Sequence, residues 1–138
     1  MPTQYLLDTN ILSDLLKNPQ GKVAARISSL PAVERDSLAT SIVVAAELRY
    51  GAAKSGSAIL AARVDQLLNA LDILPLEPDA DRHYGRIRSE LEKAGTPIGA
   101  NDLLIAAHAL ALDAILVTDN IREFKRVKGL HVENWLRT

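Results

Sequence analysis

The chain has 138 residues, 48% of them hydrophobic and 24% charged, with a formal charge of −1 from 16 basic and 17 acidic side chains. That size and apolar content support one buried core and exclude the compositions of disordered, collagen-like or low-complexity chains. The absence of cysteine excludes disulfide frameworks, thiol catalysis and thiolate-ligated zinc or iron–sulfur sites. The N-terminus MPTQYLLDTN has no basic start and no apolar run of roughly 7–15 residues, and no segment nears the roughly 18 apolar residues of a membrane span, so one soluble, cytoplasmic domain over residues 1–138 is expected.

Tyr5 to Leu7 reads as a buried strand that runs into Asp8, Thr9 and Asn10, residue types that start helices. Ile11, Leu12, Leu15 and Leu16 follow at helical spacing until Asn18, Pro19 and Gly21, and a second helix spans Lys22 to about Leu30. Leu38 to Thr40 predicts a brief strand, after which Ser41 caps a helix through Val43, Val44, Glu47 and Leu48 to Gly51 or slightly beyond. Leu60, Val64, Leu67, Leu68 and Leu71 mark an amphipathic helix, and Ile73 to Leu76 an edge strand weakened by Pro75.

Pro78 and Asp79 open a helix bearing His83, Tyr84, Ile87 and Leu91, which Gly95, Pro97 and Gly99 end. From Asn101 the run NDLLIAAHALAL is apolar nearly all round, predicting a covered helix. Ala114 to Val117 and Leu130 to Val132 complete the strands. Strands alternating with helices, each strand continuously apolar, predict an α/β fold with a central, mostly parallel β-sheet flanked by helices on both faces.

In open parallel sheets ligands bind beyond the carboxyl ends of the strands. Asp8 and Asp119 both hold that position, Asp102 lies in the first turn of the covered helix, and Glu47 sits inside its own helix. Carboxylates brought within a few ångströms of one another need a cation or protons, and all-oxygen ligation selects Mg²⁺ or Mn²⁺, a site suited to phosphodiester hydrolysis. Each acid also has a plain structural reading: Asp8 and Asp119 as helix caps, Asp102 as favourable charge at a helix N-terminus, Glu47 as a solvated helix former. The residues taken singly leave both readings open.

LLDTN at 6–10, SIVVAAELRYGA at 41–52, GANDLLIAAHAL at 99–110 and LVTDN at 116–120, taken in order, resemble the PIN-domain ribonucleases, and within them the VapC toxins of type II toxin–antitoxin pairs. The resemblance implies that Asp8, Glu47 and Asp102 form the core metal site and that Asp119 takes the fourth acidic position. Asn10, Thr118 and Asn120 are supporting hydrogen-bonders or structural caps. It implies a Mg²⁺-dependent endoribonuclease that hydrolyses RNA with an activated water, leaving a 5′-phosphate and a 3′-hydroxyl. Asp8 and Asp102 would bind metal most directly, while Glu47 and Asp119 complete the shell or orient the water. The implied substrate is a tRNA, foremost the initiator tRNA anticodon loop, and the implied partners are a VapB-like antitoxin and a second copy of the chain.

With those four acids set aside, 13 acids stand against 16 basic residues, so charge does not oppose RNA binding. Arg122, Lys125, Arg126 and Lys128 follow Asp119 as a phosphate-binding cluster or a solvated face, while Arg82 and Arg86 read as a solvated face. His83, His108 and His131 lack metal-ligand spacing, and Phe124 and Trp135 read as packing residues. The Ile11–Leu16 and Leu60–Leu71 helices carry more apolar surface than one small domain must bury. The competing readings are an RNA-processing nuclease without antitoxin, a non-catalytic metal- or partner-binding domain, and an aspartyl phosphatase. The last lacks its second acid, because that position is Asn10.

Overall fold

The computed structural model describes residues 3–137. Its five strands, β1 (Tyr5–Leu7), β2 (Ala39–Ser41), β3 (Asp72–Leu74), β4 (Ile115–Val117) and β5 (His131–Glu133), form one sheet in the order β3-β2-β1-β4-β5, every neighbouring pair parallel. All three residues of β1 and of β2 are buried, so both faces of these strands are covered, β1 by its continuous apolar run and β2 although Thr40 and Ser41 are polar; Thr40 donates its hydroxyl to the Leu7 carbonyl at 2.6 Å and Ser41 Oγ meets His108 Nδ1 at 2.8 Å. Helices α1 (Thr9–Lys17), α2 (Lys22–Ser29), α3 (Ala32–Asp36), α4 (Ile42–Ser55), α5 (Ala58–Asn69), α6 (Ala80–Lys93), α7 (Ala100–Leu112) and α8 (Ile121–Phe124) fill the connections. Among the described residues no helix is long and apolar enough to cross a membrane.

Most boundaries follow the sequence, with instructive exceptions. Helix α4 runs through Gly51 and stops at Gly56, whose φ of 70° places it in the left-handed region that glycine adopts without strain. The short α3 was not anticipated, because AVERD carries too few apolar residues to show a period. Strand β3 lies at the sheet edge as expected, and Pro75 follows it rather than sitting inside it. Strand β5 covers His131–Glu133, one residue beyond the expected span.

The Leu60–Leu71 stripe is divided between core and surface, with Leu60, Leu67 and Leu71 half-buried. Val64 and Leu68 are fully buried, and Leu60, Leu67 and Leu71 pack against the same core. The large apolar side chains left exposed are Val33, Ile42, Tyr50, Ile59 and Leu76. Phe124 and Trp135 are buried as expected, Trp135 edge-on to Tyr5 with ring centroids 5.0 Å apart.

Candidate metal and nuclease site

Chain order leaves β1 to one side for β2 and later returns to its other side for β4, so β1 is the switch point of the sheet. A crevice opens beyond the carboxyl end of such a strand. Leu7 pairs with Val117, which sets Asp8 beside Thr118, and Asp8 donates its backbone N–H to the Val117 carbonyl at 2.9 Å. Asp8 is also the N-cap of α1, accepting from the Thr9 amide at 2.8 Å.

Thr118 donates its hydroxyl to the other Asp8 oxygen at 2.8 Å, and accepts from the Asn120 amide at 3.0 Å and Asn10 Nδ2 at 3.3 Å. Asn10 Oδ1 accepts from the Asp119 amide at 3.0 Å. Asn10, Thr118 and Asn120 thus tie the two strand-end loops together around Asp8. Burial raises the proton affinity of Asp8 even against the two hydrogen bonds that favour its charge, and Glu47 adds to the rise.

Glu47 reaches the crevice from α4, half-buried, with both oxygens engaged. Thr9 Oγ1 donates to one at 2.9 Å and Asn101 Nδ2 to the other at 3.4 Å. Asp102, in the first turn of α7, has its carboxyl pushed up to about 7, first by burial, then by the charge of Asp8, a hydrogen bond with Glu123, and the charges of Glu123 and Glu47. An ideal Cβ on Gly99 would lie 3.6 Å from Asp102 Oδ2, in ordinary contact, which places the start of α7 directly beside that carboxylate.

Four acids therefore share one electrostatic neighbourhood: Asp8, Glu47, Asp102 and Glu123. Glu123, Thr9 and Asn101 escaped the sequence reading. Glu123 stands three residues after Asn120, the interval of an ordinary capping box, which gives no local signal of a site role, and Asn120 Nδ2 does donate to Glu123 Oε2 at 3.1 Å. Asp119, expected in the fourth position, accepts instead from Asn134 Nδ2 at 3.0 Å and Arg137 Nε at 3.1 Å. The Asn134 hydrogen bond first, and Arg137 with it, hold its carboxyl below the usual range, and none of the other acids contributes.

The donor set, all carboxylate oxygen and crowded enough to raise Asp102, fits a hard divalent cation in chemistry. In spacing it is open: among the described residues no group of three His, Asp or Glu side chains stands close enough to hold one ion. Chelation by three of them requires the side chains to draw inward.

A family model for the PIN domain matches residues 5–130. Ribonuclease VapC2 of Rickettsia felis is 40% identical over 132 residues, 95% of this chain and 97% of that protein. The tRNA(fMet)-specific endonuclease VapC of Shigella flexneri is 37% identical over 133 residues, 96% of this chain and 98% of that protein. The crystal structure of VapBC2 from Rickettsia felis, bound to a DNA fragment from its promoter, contains a chain that superposes with a TM-score of 0.88 at 38% identity, covering 96% of this chain and 99% of that one. The chain belongs to the PIN-domain family and, within it, to the VapC ribonucleases.

Proposed function

We propose that the protein is a Mg²⁺- or Mn²⁺-dependent endoribonuclease toxin whose substrate is a tRNA, with the initiator tRNA anticodon loop its foremost target. The observation that carries this reading is the gathering of Asp8, Glu47, Asp102 and Glu123, from four separate elements, at the switch point of the sheet. The similarity to a tRNA(fMet)-specific endonuclease supports the substrate.

Asp8, Asp102 and Glu47 would hold the metal, with Glu123 completing the set in preference to Asp119. When bound, a divalent cation supplies a nucleophilic water near neutral pH and neutralises charge developing on the phosphate. Thr118 and Thr9 fix the Asp8 and Glu47 carboxylates in orientation, and Asn101 steadies the second Glu47 oxygen. With the metal bound, hydrolysis would break the bond from phosphorus to the 3′ oxygen and leave a 5′-phosphate and a 3′-hydroxyl. Asp119, clasped by Asn134 and Arg137, stands at the rim and anchors the C-terminal segment.

A VapB-like antitoxin is the natural inhibitor. A groove of about 520 Å³, walled by Leu16, Leu48, Leu60 and Val64 and reaching Thr9 and Glu47, suits an amphipathic segment that ends with an arginine among the acids. Self-association, implied by the family, has Ile42, Tyr50 and Ile59 available as exposed apolar side chains.

The test is cleavage of total tRNA by purified, antitoxin-free protein with Mg²⁺, with EDTA, and with Asp8→Asn, mapping the 5′ ends of fragments. Discrete Mg²⁺-dependent cuts that vanish in the folded variant are expected. Undiminished cutting by Asp8→Asn would sink the mechanism.

A further inference from the structure

We infer that the turn of chain from Arg122 to Lys128 is a phosphate-binding edge that holds the RNA backbone beside the carboxylate cluster, an inference that rests on the ribonuclease reading above. Arg122, Lys125, Arg126 and Lys128 are all exposed, and the one acid among them, Glu123, is turned inward against Asp102. An acid cluster repels a polyanion, so a nuclease built around one needs cations placed where they offset that repulsion without neutralising the acids themselves.

The treatment of these cations differs from that of the arginines on α6. Arg86 and Arg88 each pair with the glutamate four residues on, Glu90 at 3.2 Å and Glu92 at 3.1 Å, which leaves a self-neutralised, solvated face. Among the described residues none of the four cations at 122–128 has a carboxylate partner within 4.0 Å. Their charge is left for a ligand.

The edge is also rigid and continuous with the site. Phe124 and Val127, interleaved with the cations, are buried and pin the turn to the core. Arg126 donates to the Pro97 carbonyl at 3.2 Å, which fixes its guanidinium against the loop leading into α7 and Asp102. Arg126 lies three residues beyond Glu123, and its backbone N–H donates to the Glu123 carbonyl at 3.1 Å, so the cation is tied through the backbone to the residue whose carboxylate meets Asp102. One guanidinium N–H is used by Pro97, and the rest of the fork remains for phosphate oxygens. Contacts of this kind position a substrate without reading its sequence.

The experiment titrates fluorescein-labelled bulk tRNA with antitoxin-free protein in EDTA, from 50 to 200 mM salt, followed by steady-state cleavage in Mg²⁺. The proteins are wild type, the K125Q/R126Q/K128Q triple variant, Arg126→Lys, and R86Q/R88Q as a control from α6. The triple variant should bind at least tenfold more weakly at 50 mM salt, and its slope of log affinity against log salt should fall by about 2–3, as expected for three lost phosphate contacts. Its cleavage defect should lie mainly in KM, Arg126→Lys should keep the wild-type slope, and the α6 control should match wild type. Thermal melts confirm that each variant is folded.

Wild-type affinity and slope in the triple variant, or an equal loss in the α6 control, would overturn the inference. So would a triple variant that binds tRNA normally but no longer retains its antitoxin, since the edge would then be a protein contact. If wild type cuts tRNA and the triple variant cuts it equally well, only the edge fails; if wild type neither binds nor cuts tRNA, the tRNA-substrate reading falls with it.

Discussion

The Thr9 hydroxyl donates a 2.9 Å hydrogen bond to Glu47 Oε1, joining the start of α1 to α4 and holding a carboxylate that would otherwise swing with its helix face. The neighbouring Thr9 amide caps onto Asp8, so one residue orients two of the acids. Thr9→Val keeps the shape and the amide while removing the hydroxyl. Metal affinity should fall by roughly tenfold or more, the usual effect of removing a partner that orients a ligand, with the fold unchanged. Mn²⁺ titration followed by calorimetry checks this, and an unaltered affinity would show that Thr9 orients nothing.

Asp102 should make the metal-free protein less stable at neutral pH than at acid pH. Its carboxyl has an ordinary value of 3.8 and is pushed up to about 7 by burial and its acidic neighbours. Because the folded-state value is raised, stability is fully present below about pH 3.8 and is lost as pH rises toward 7, where the unfolded chain ionises and the folded one resists. Asp102→Asn should therefore melt a few degrees above wild type at pH 8 in EDTA, on the order of 1 kcal/mol once solvent screening of this half-buried group is allowed for, and level with it near pH 4. The same variant should cleave no RNA.

Glu123 and Asp119 can be told apart by paired substitutions. Glu123→Gln, which takes a charge from beside Asp102, should lower cleavage by a factor of about a hundred or more, on the scale of a lost ligand. Asp119→Ala should cost less than about tenfold in activity and should instead release Asn134 and Arg137, seen as faster amide exchange at the C-terminus. The reverse ranking would place Asp119 in the metal shell.

His108 titrates with the opposite sense to Asp102. It is buried in α7 with Nδ1 2.8 Å from Ser41 Oγ, and its Nε2 lies by the Pro75 carbonyl without a well-formed hydrogen bond. Burial lowers its proton affinity, with Pro75 and the Glu77 charge opposing. Stability from neutral His108 is thus present above about pH 6.5 and lost as pH falls below it. Urea melts of Asp102→Asn, which lacks the Asp102 titration, should show stability falling as pH drops below 6.5, and His108→Gln in that background should make that fall shallower.

Much of the fold was legible because its physics is local. Tyr5–Leu7 and Ile115–Val117 are unbroken apolar runs, which mark strands covered on both faces, and Asp8 and Ser41 cap helices with their own side chains. Asp8 and Asp102 stood out for the same reason, since strand ends and first helical turns are readable as positions, whereas Glu47, inside α4, stood out only through the family resemblance. Glu123 was hidden because its spacing from Asn120 satisfies an ordinary capping pattern, and Thr9 and Asn101 because nothing local distinguishes a helix-starting polar residue from one that grips a carboxylate 38 or 54 residues away.

The sequence by itself determined which residues could start, end and cover each element, since propensity, capping and apolar period act over a few neighbours. Only the tertiary structure decided which acid meets which. Asp119 is adjacent to the crevice in sequence and accepts from Asn134 and Arg137 near the far end of the chain, while Glu123, beside the buried Phe124, meets Asp102. Long-range packing, which has no signature at short range, sets those partnerships, and with them the electrostatic cost that a cation would relieve.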